Sequence, residues 1–296
     1  MPVLRKTEER RFGDRMLNRN SERWDKLTGL SGKPDRRIID AIYALQEEAY
    51  IEENEGDKFG FWEVFNQLCH QGTIYPVTYA AVPHLLPAIR GETLIPRIEA
   101  LLLLSEINLS YRSTDISPPD IPPDLQGPFE DALKTAKDLA LRNLNQLGLA
   151  ENDLIFCLMA TAGLHNLPDV SQTTDQAFIG QGLIGKCEDC SAQIEILCKS
   201  LPFTVQFVEP HPKYPERAFG TPTGPLSYVS AKPLLTTGWN WKIELENAPI
   251  WMAHFAIFAD QAETKERLTF LFGEYACPIC SKAQSPWAAC LTEKRA

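Results

Sequence analysis

The sequence predicts a mainly α protein, in which paired helices are followed by a mixed α+β part. Three observations lead to this prediction. Apolar side chains recur at helical spacing through much of residues 34–184. Beyond residue 184 the pattern changes to short alternating segments and a loop rich in Pro and Gly. Two C-x-x-C pairs lie in this later part.

Three segments follow from these patterns. Residues 1–33 are rich in charge and poor in apolar side chains, which predicts an exposed arm or a weak helix. Residues 34–184 contain successive helices with short turns, which predicts a short α-solenoid of helical repeats, ending in a helix over Gln172–Leu183. Residues 185–296 form the predicted mixed region.

The overall composition is that of a globular protein, with 44% hydrophobic and 23% charged residues in a chain of 296. The longest apolar runs are far shorter than the ~20 residues that cross a bilayer. The first residues are charged where a signal peptide would be apolar. We therefore expect a cytoplasmic protein without a membrane partner.

Charge is unevenly distributed. Residues 1–37 hold 11 basic and 6 acidic side chains, which leaves 18 basic and 33 acidic in residues 38–296. Such an acidic body repels nucleic acid and attracts a basic protein, although it also simply keeps a protein soluble. The densest acidic segment supplies the predicted partner-binding residues Glu47, Glu48, Glu52, Glu53, Glu55 and Asp57.

The cysteines indicate a metal. Cys187 with Cys190, and Cys277 with Cys280, form two C-x-x-C pairs. Such a pair lets both thiolates of a tight turn bind one tetrahedral ion, so the two pairs together predict a closed, structural zinc site. Disulfides fit a chain without an export signal poorly, and a thioredoxin-like motif would not explain two pairs.

Other cysteines leave the ligand set open. Cys290 or Cys198 could replace one of the four sulfurs. Cys69, Cys157 and Cys198 lie in apolar surroundings, which favours buried packing residues over reactive thiols.

Polar side chains cluster between two predicted helices, at His70, Gln71, Thr73 and Tyr75. Thr73 could cap the following helix, and His70 could bind a carbonyl at the end of the preceding one. The alternative is a small polar pocket. His84 lies in an apolar helix and is predicted to be a core histidine.

Two neighbouring motifs carry a resemblance: His70-Gln71-Gly72-Thr73-Ile74-Tyr75 and Ala80-Ala81-Val82-Pro83-His84-Leu85. They resemble the H-Q-G-T-x-Y and A-A-x-P-x-L segments of bacterial HEAT-like helical-repeat proteins. The helix near residues 155–164, followed by C-x-x-C knuckles, is similar to the same group. The resemblance implies an immunity-type protein that neutralises a toxin by binding it, and it implies no catalytic residues.

Common catalytic signatures are absent from the sequence, including G-x-S-x-G, H-E-x-x-H and the Walker loop. The letters of Gly180–Gly185 match G-x-G-x-x-G, but they run directly into Cys187, which argues against a dinucleotide site. We therefore expect a protein-binding module rather than an enzyme. The alternatives are an unrecognised enzyme with a pocket near His70 and Tyr75, or a general scaffold.

Overall fold

The structure is a computed structural model of the chain. It describes residues 16–34, 36–46, 61–91, 94–113, 121–145, 149–207, 227–234 and 242–295. The chain divides into two compact units. Unit 1 takes Met1–Asn143 and Ala160–Asn166, and unit 2 takes Leu144–Met159 and Leu167–Ala296.

Unit 1 is built from helices and one short hairpin. A 3-10 turn, Trp24–Lys26, precedes α1 (Arg36–Gln46), α2 (Phe61–Leu68), β1 (Cys69–His70), β2 (Thr73–Ile74), α3 (Pro76–Arg90), α4 (Leu94–Arg112) and α5 (Pro123–Leu144). The end of α6 (Glu151–Leu164) also belongs to this unit.

Helix α3 lies at the centre of the unit 1 core. Nearly all of its side chains are buried, and it packs against α1 and α4. Pro83 and Pro87 lie inside it, and although proline inside a helix often kinks or breaks it, the helix continues from Pro76 to Arg90. The ring of Tyr79 lies 4.8 Å from that of Phe129, which brings α5 onto the same core.

The described part of the predicted N-terminal arm packs onto unit 1. Trp24 is fully buried, and its ring lies 5.7 Å from that of His84. The hydroxyl of Tyr43 donates to Leu17 O at 2.6 Å. Most of residues 16–33 are exposed, but Trp24 and Leu27 are buried, so two apolar side chains anchor this charged segment to the core. Residues 1–15 lie outside the described residues.

Unit 2 combines helices with small antiparallel sheets. After the start of α6 come α7 (Pro168–Thr174), a π-helical turn (Asp175–Ile179), β3 (Gly182–Lys186), β4 (Gln193–Leu197), β5 (Thr204–Phe207), β6 (Ser227–Tyr228), α8 (Ala248–Phe258), α9 (Ala262–Leu271), β7 (Tyr275–Ala276), β8 (Ala283–Gln284) and α10 (Pro286–Arg295). One sheet has the order β3-β4-β5-β6, and β7 pairs with β8 in another.

Strand β3 replaces the end of the predicted helix Gln172–Leu183. Helical structure stops at Ile179, because the residues that follow pair with β4. Helix α10 packs against β3. A Cβ at Gly185 would lie 2.9 Å from the backbone carbon of Ala289, so a glycine is needed for this approach.

The start of α6 groups with the later part of the chain. The side chain of Gln261 donates to Leu149 O. Glu151 accepts a hydrogen bond from the hydroxyl of Thr264 at 3.2 Å and lies 3.6 Å from the guanidinium of Arg267. These contacts explain why the structural division falls near residue 143, before the predicted boundary at residues 184/185.

The prediction of a mainly helical protein with small sheets is confirmed. No helix among the described residues is long and apolar enough to cross a membrane. The solenoid arrangement of the helices stays a prediction.

Candidate metal centre

The structure brings Cys187, Cys190, Cys277 and Cys280 together in unit 2. Their Sγ atoms all lie within 4.8 Å of one another. Cys187 Sγ is 3.6 Å from Cys280 Sγ, and Cys190 Sγ is 3.7 Å from Cys277 Sγ. A disulfide would need about 2.05 Å, and all four thiols are free. The predicted convergence of the two pairs is thus a feature of the fold.

The sulfur spacing suits a tetrahedral metal ion. Four zinc–sulfur bonds of ~2.3 Å place neighbouring sulfurs about 3.8 Å apart. The two distances between the pairs, 3.6 and 3.7 Å, are close to this value. The four cysteines could therefore hold one metal ion, and four protein sulfurs would complete its coordination.

The two C-x-x-C turns, called knuckles below, are held by equivalent backbone bonds. The first knuckle joins β3 to β4, and the second joins β7 to β8. Cys187 N–H donates to Ala192 O at 2.9 Å, and Cys277 N–H donates to Lys282 O at 2.8 Å. Each first cysteine therefore closes its own turn against the residue five positions later.

A serine closes both knuckles in the same unusual conformation. Ser191 has φ of 59° and Ser281 has φ of 63°, a left-handed region that non-glycine residues seldom adopt. Their N–H groups donate to Cys187 O at 3.0 Å and to Cys277 O at 2.9 Å. The shared pattern C-x-x-C-S thus forms one local structure twice, which two unrelated turns would not be expected to do.

Backbone N–H groups point at the sulfurs. Ile279 N–H donates to Cys277 Sγ at 3.4 Å. Burial opposes ionisation of Cys187, but the N–H groups of Cys190 and Asp189 stabilise its thiolate, and its pKa is lowered. Burial raises the pKa of Cys277 and of Cys190. A bound cation would favour the thiolate form of all four cysteines.

Gln284 connects the two knuckles beyond the sulfurs. Its side-chain carbonyl accepts a hydrogen bond from Glu188 N–H at 3.2 Å, and its amide donates to the hydroxyl of Tyr275. Both Gln284 and Tyr275 are buried, and burial raises the pKa of Tyr275. Sequence reasoning missed this glutamine, because no local pattern distinguishes it from any other strand residue.

The remaining cysteines stay outside the cluster. Cys198 and Cys290 are buried but do not belong to the group of converging sulfurs. Burial, with Cys290 nearby, raises the pKa of Cys198 to about 12. Cys69 and Cys157 are also buried, so the prediction that they are packing residues is confirmed.

The polar residues near His70 come together on a hairpin rather than on a turn between helices. His70 pairs with Thr73 across β1 and β2. Gln71 and Gly72 have φ of 48° and 75°, and two positive φ values in a two-residue loop are typical of a type I′ turn. Gly72 is therefore part of a hairpin turn.

Thr78, and not Thr73, supports the start of α3. Its hydroxyl oxygen accepts a hydrogen bond from Tyr75 N–H at 3.0 Å and donates to Leu68 O at 2.5 Å. The predicted capping by Thr73 is wrong, because the helix begins at Pro76 with Tyr75 as its N-cap residue. The sequence predicted a hydrogen bond from His70 to a carbonyl at the end of the preceding helix. Nδ1 of His70 does not make this bond, because it is buried without a hydrogen-bond partner.

His84 is a core histidine, as predicted. It is 1% exposed, and its ring lies 4.9 Å from that of Tyr43. Burial lowers its pKa to about 4, so it stays neutral at physiological pH. A buried, neutral imidazole suits a packing role in the core of unit 1.

The acidic residues predicted to bind a partner, Glu47, Glu48, Glu52, Glu53, Glu55 and Asp57, lie outside the described residues.

Comparison with known proteins adds no relative. No family model, curated protein or solved structure matches the chain. The resemblance to HEAT-like repeat proteins and the immunity-type function therefore stay predictions.

Proposed function

We propose that this protein is a protein-binding module stabilised by zinc, and that its partner is a basic protein. The observation that carries the zinc part is the cluster of four Sγ atoms within 4.8 Å of one another. Thiolates in tetrahedral arrangement favour zinc over harder cations. Because four sulfurs leave no position for water or substrate, the ion would be structural.

The zinc ion would join two hairpins that are far apart in the chain. Cys187 and Cys280 are separated by 93 positions, and Cys190 and Cys277 by 87. Gln284 would orient the knuckles from outside the coordination sphere, through Glu188 N–H. The chemistry that zinc supplies here is fixation of the fold, with no reaction at the metal.

The metal content of the purified protein tests this part. We expect about one zinc per chain by elemental mass spectrometry, and the absorption bands of tetrahedral thiolate coordination after cobalt replacement. Cys277→Ser should lose the ion, whereas the control Cys290→Ser should retain it. Metal-free wild-type protein, or equal loss in both variants, would contradict the proposal.

The charge distribution supports the proposal that the partner is a basic protein. Residues 38–296 carry 33 acidic and 18 basic side chains, a surplus that attracts a basic surface at long range and slows approach of nucleic acid. By the resemblance stated above, the partner would be a toxin whose basic active-site cleft is covered by the acidic segment 47–57. Occlusion requires no catalytic residue on this chain.

Two variants with the same net charge distinguish binding by the acidic segment from an effect of total charge on binding. Glu52→Lys with Glu53→Lys reverses two charges in the acidic segment. Glu263→Lys with Glu266→Lys makes the same change in net charge at exposed positions of α9. Both are compared with wild type in pull-downs from native extract at low and high salt.

The proposal predicts one basic partner that wild type and the α9 variant capture at low salt and lose at high salt. The variant of residues 52 and 53 should capture much less of it. Equal capture by all three proteins would refute the role of the acidic segment, and an acidic or salt-insensitive partner would refute the electrostatic mechanism.

A further inference from the structure

We propose that the four-cysteine cluster is also a modification site for hydroperoxides, at which oxidation links the two knuckles through Cys187–Cys280 and Cys190–Cys277 disulfides. This inference deepens the proposed function and rests on the zinc site described there. It concerns what happens to the cluster when the ion is lost by oxidation.

Each sulfur lies close to a sulfur of the other knuckle. Cys187 Sγ contacts Cys280 Sγ at 3.6 Å, and Cys190 Sγ contacts Cys277 Sγ at 3.7 Å. Forming either bond requires the two sulfurs to approach by about 1.6 Å. Every cysteine of one knuckle therefore has a neighbouring sulfur in the other knuckle.

Exposure differs within each pair. Cys187 and Cys277 are 1% and 2% exposed, whereas Cys190 and Cys280 are partly exposed. Each pair thus contains one partly exposed cysteine and one buried cysteine. This arrangement suits a two-step oxidation, because the accessible sulfur reacts first and the buried partner then attacks it.

The chemistry balances with one hydroperoxide for each disulfide. The thiolate of Cys280 attacks the O–O bond of hydrogen peroxide, which forms a sulfenic acid and releases hydroxide. The thiolate of Cys187 then attacks this sulfur, forms the disulfide and releases a second hydroxide. Two solvent protons convert both hydroxides to water, the two sulfurs supply two electrons, and the zinc ion leaves.

The second pair reacts in the same way, through Cys190 and Cys277. Both disulfides would connect the hairpins that the metal connects, β3–β4 and β7–β8. Oxidised unit 2 would therefore keep this link without zinc. Disulfides formed within each C-x-x-C knuckle would leave the hairpins unlinked, so the pairing decides whether the proposal holds.

Peptide mapping distinguishes the two pairings in the wild-type protein. Protein of measured zinc content is treated with hydrogen peroxide, then blocked with an alkylating reagent and digested by trypsin without reduction. Cys187 and Cys190 fall in the peptide 187–199, and Cys277 and Cys280 fall in the peptide 268–282. Cleavage before Asp189 then separates Cys187 from Cys190.

We expect the two peptides to be covalently linked, in parallel with release of zinc from about one per chain to none. Separate peptides that have each lost about 2 Da would show bonds within the knuckles and overturn the proposal. Zinc retention under peroxide, or sulfinic acids in place of disulfides, would overturn it as well.

Matched double variants test the role of exposure. Because loss of a ligand also releases the ion, wild type and variants are compared after zinc is removed by a chelator. Cys190→Ser with Cys280→Ser removes the two partly exposed cysteines, and oxidation of the remaining cluster thiols should then slow by about tenfold. Cys198→Ser with Cys290→Ser removes two buried thiols outside the cluster and should leave linkage unchanged. Equal rates in wild type and the first variant would contradict the order of reaction.

The outcome separates this proposal from the zinc proposal. Protein that contains zinc but does not become linked refutes only the oxidation site. Protein that is purified without zinc refutes the metal proposal, whatever peptides its thiols later form.

Discussion

Unit 1 and unit 2 both bury apolar side chains, but in unit 2 two distant hairpins also meet at four cysteines. In unit 1 a single cluster of buried apolar side chains extends from Trp24 to Leu164. In unit 2 the two hairpins meet at a small cluster of cysteines, with Ala192 as its buried apolar neighbour. Many weak contacts stabilise the first cluster, whereas the ion proposed for the second would need all four cysteines at once. The proposed metal should therefore matter to unit 2 and little to unit 1.

Removal of the metal should have the largest effect. Structural zinc contributes on the order of 10 kcal/mol to the folding of small zinc domains, so a chelator should strip amide protection from β3, β4, β7 and β8. Helix α3 of unit 1 should keep its protection, because its neighbours are apolar. Hydrogen exchange by mass spectrometry measures both regions in one sample.

Added zinc should restore the lost protection. Equal loss in α3 and in β3 would mean that the two units do not differ in the way described. Loss in neither would mean that the apolar core of unit 2 suffices without a metal.

Acid should weaken unit 1 through His84. Its pKa is about 4 in the folded chain and 6.5 ordinarily, so between these values the unfolded chain binds a proton that the folded chain excludes. The free energy of unfolding should therefore fall as pH drops from 6.5 to 4, by up to about 3 kcal/mol. Hydrogen exchange of the α3 amides, recorded in increasing urea at several pH values, measures this free energy of unfolding.

A His84→Leu variant serves as the control for acid. Its unit 1 should lose this dependence on pH, whereas β3 and β7 should still lose protection in acid as the zinc thiolates are protonated. If the variant and wild type show the same dependence of α3 protection on pH, the acid effect belongs to a group other than His84.

Close packing of α4 and α6 in unit 1 should produce the smallest effect. A Cβ at Gly163 would lie 1.9 Å from Ser105 Oγ, whereas one at Gly127 would meet nothing within 4 Å. Gly163→Ala should lower the free energy of unfolding by about 1–3 kcal/mol. Gly127→Ala, in α5, should raise it by up to about 1 kcal/mol.

Thermal denaturation compares the two alanine variants. Adding Ser105→Ala to Gly163→Ala should recover part of the loss, because the clashing hydroxyl is removed while the Cβ contact of 3.2 Å remains. A loss of stability that Ser105→Ala does not reduce would place the conflict elsewhere.

Sequence patterns predicted the local structure well where neighbouring residues determine it. Helical spacing located α3 and α4, and alternation after Cys187 located β4. They failed where local signals were ambiguous. Gly72 suits a helix end as well as a hairpin turn, and only its pairing partners distinguish the two.

The sequence by itself determined that two C-x-x-C pairs could bind a metal, because this spacing is a local property of the chain. Only the tertiary structure decided that the two pairs meet, that Gln284 connects them, and that the start of α6 joins unit 2. It also decided that Trp24 anchors a charged segment in the core. These features depend on contacts between residues far apart in the chain, and such contacts leave no pattern within a local stretch of sequence.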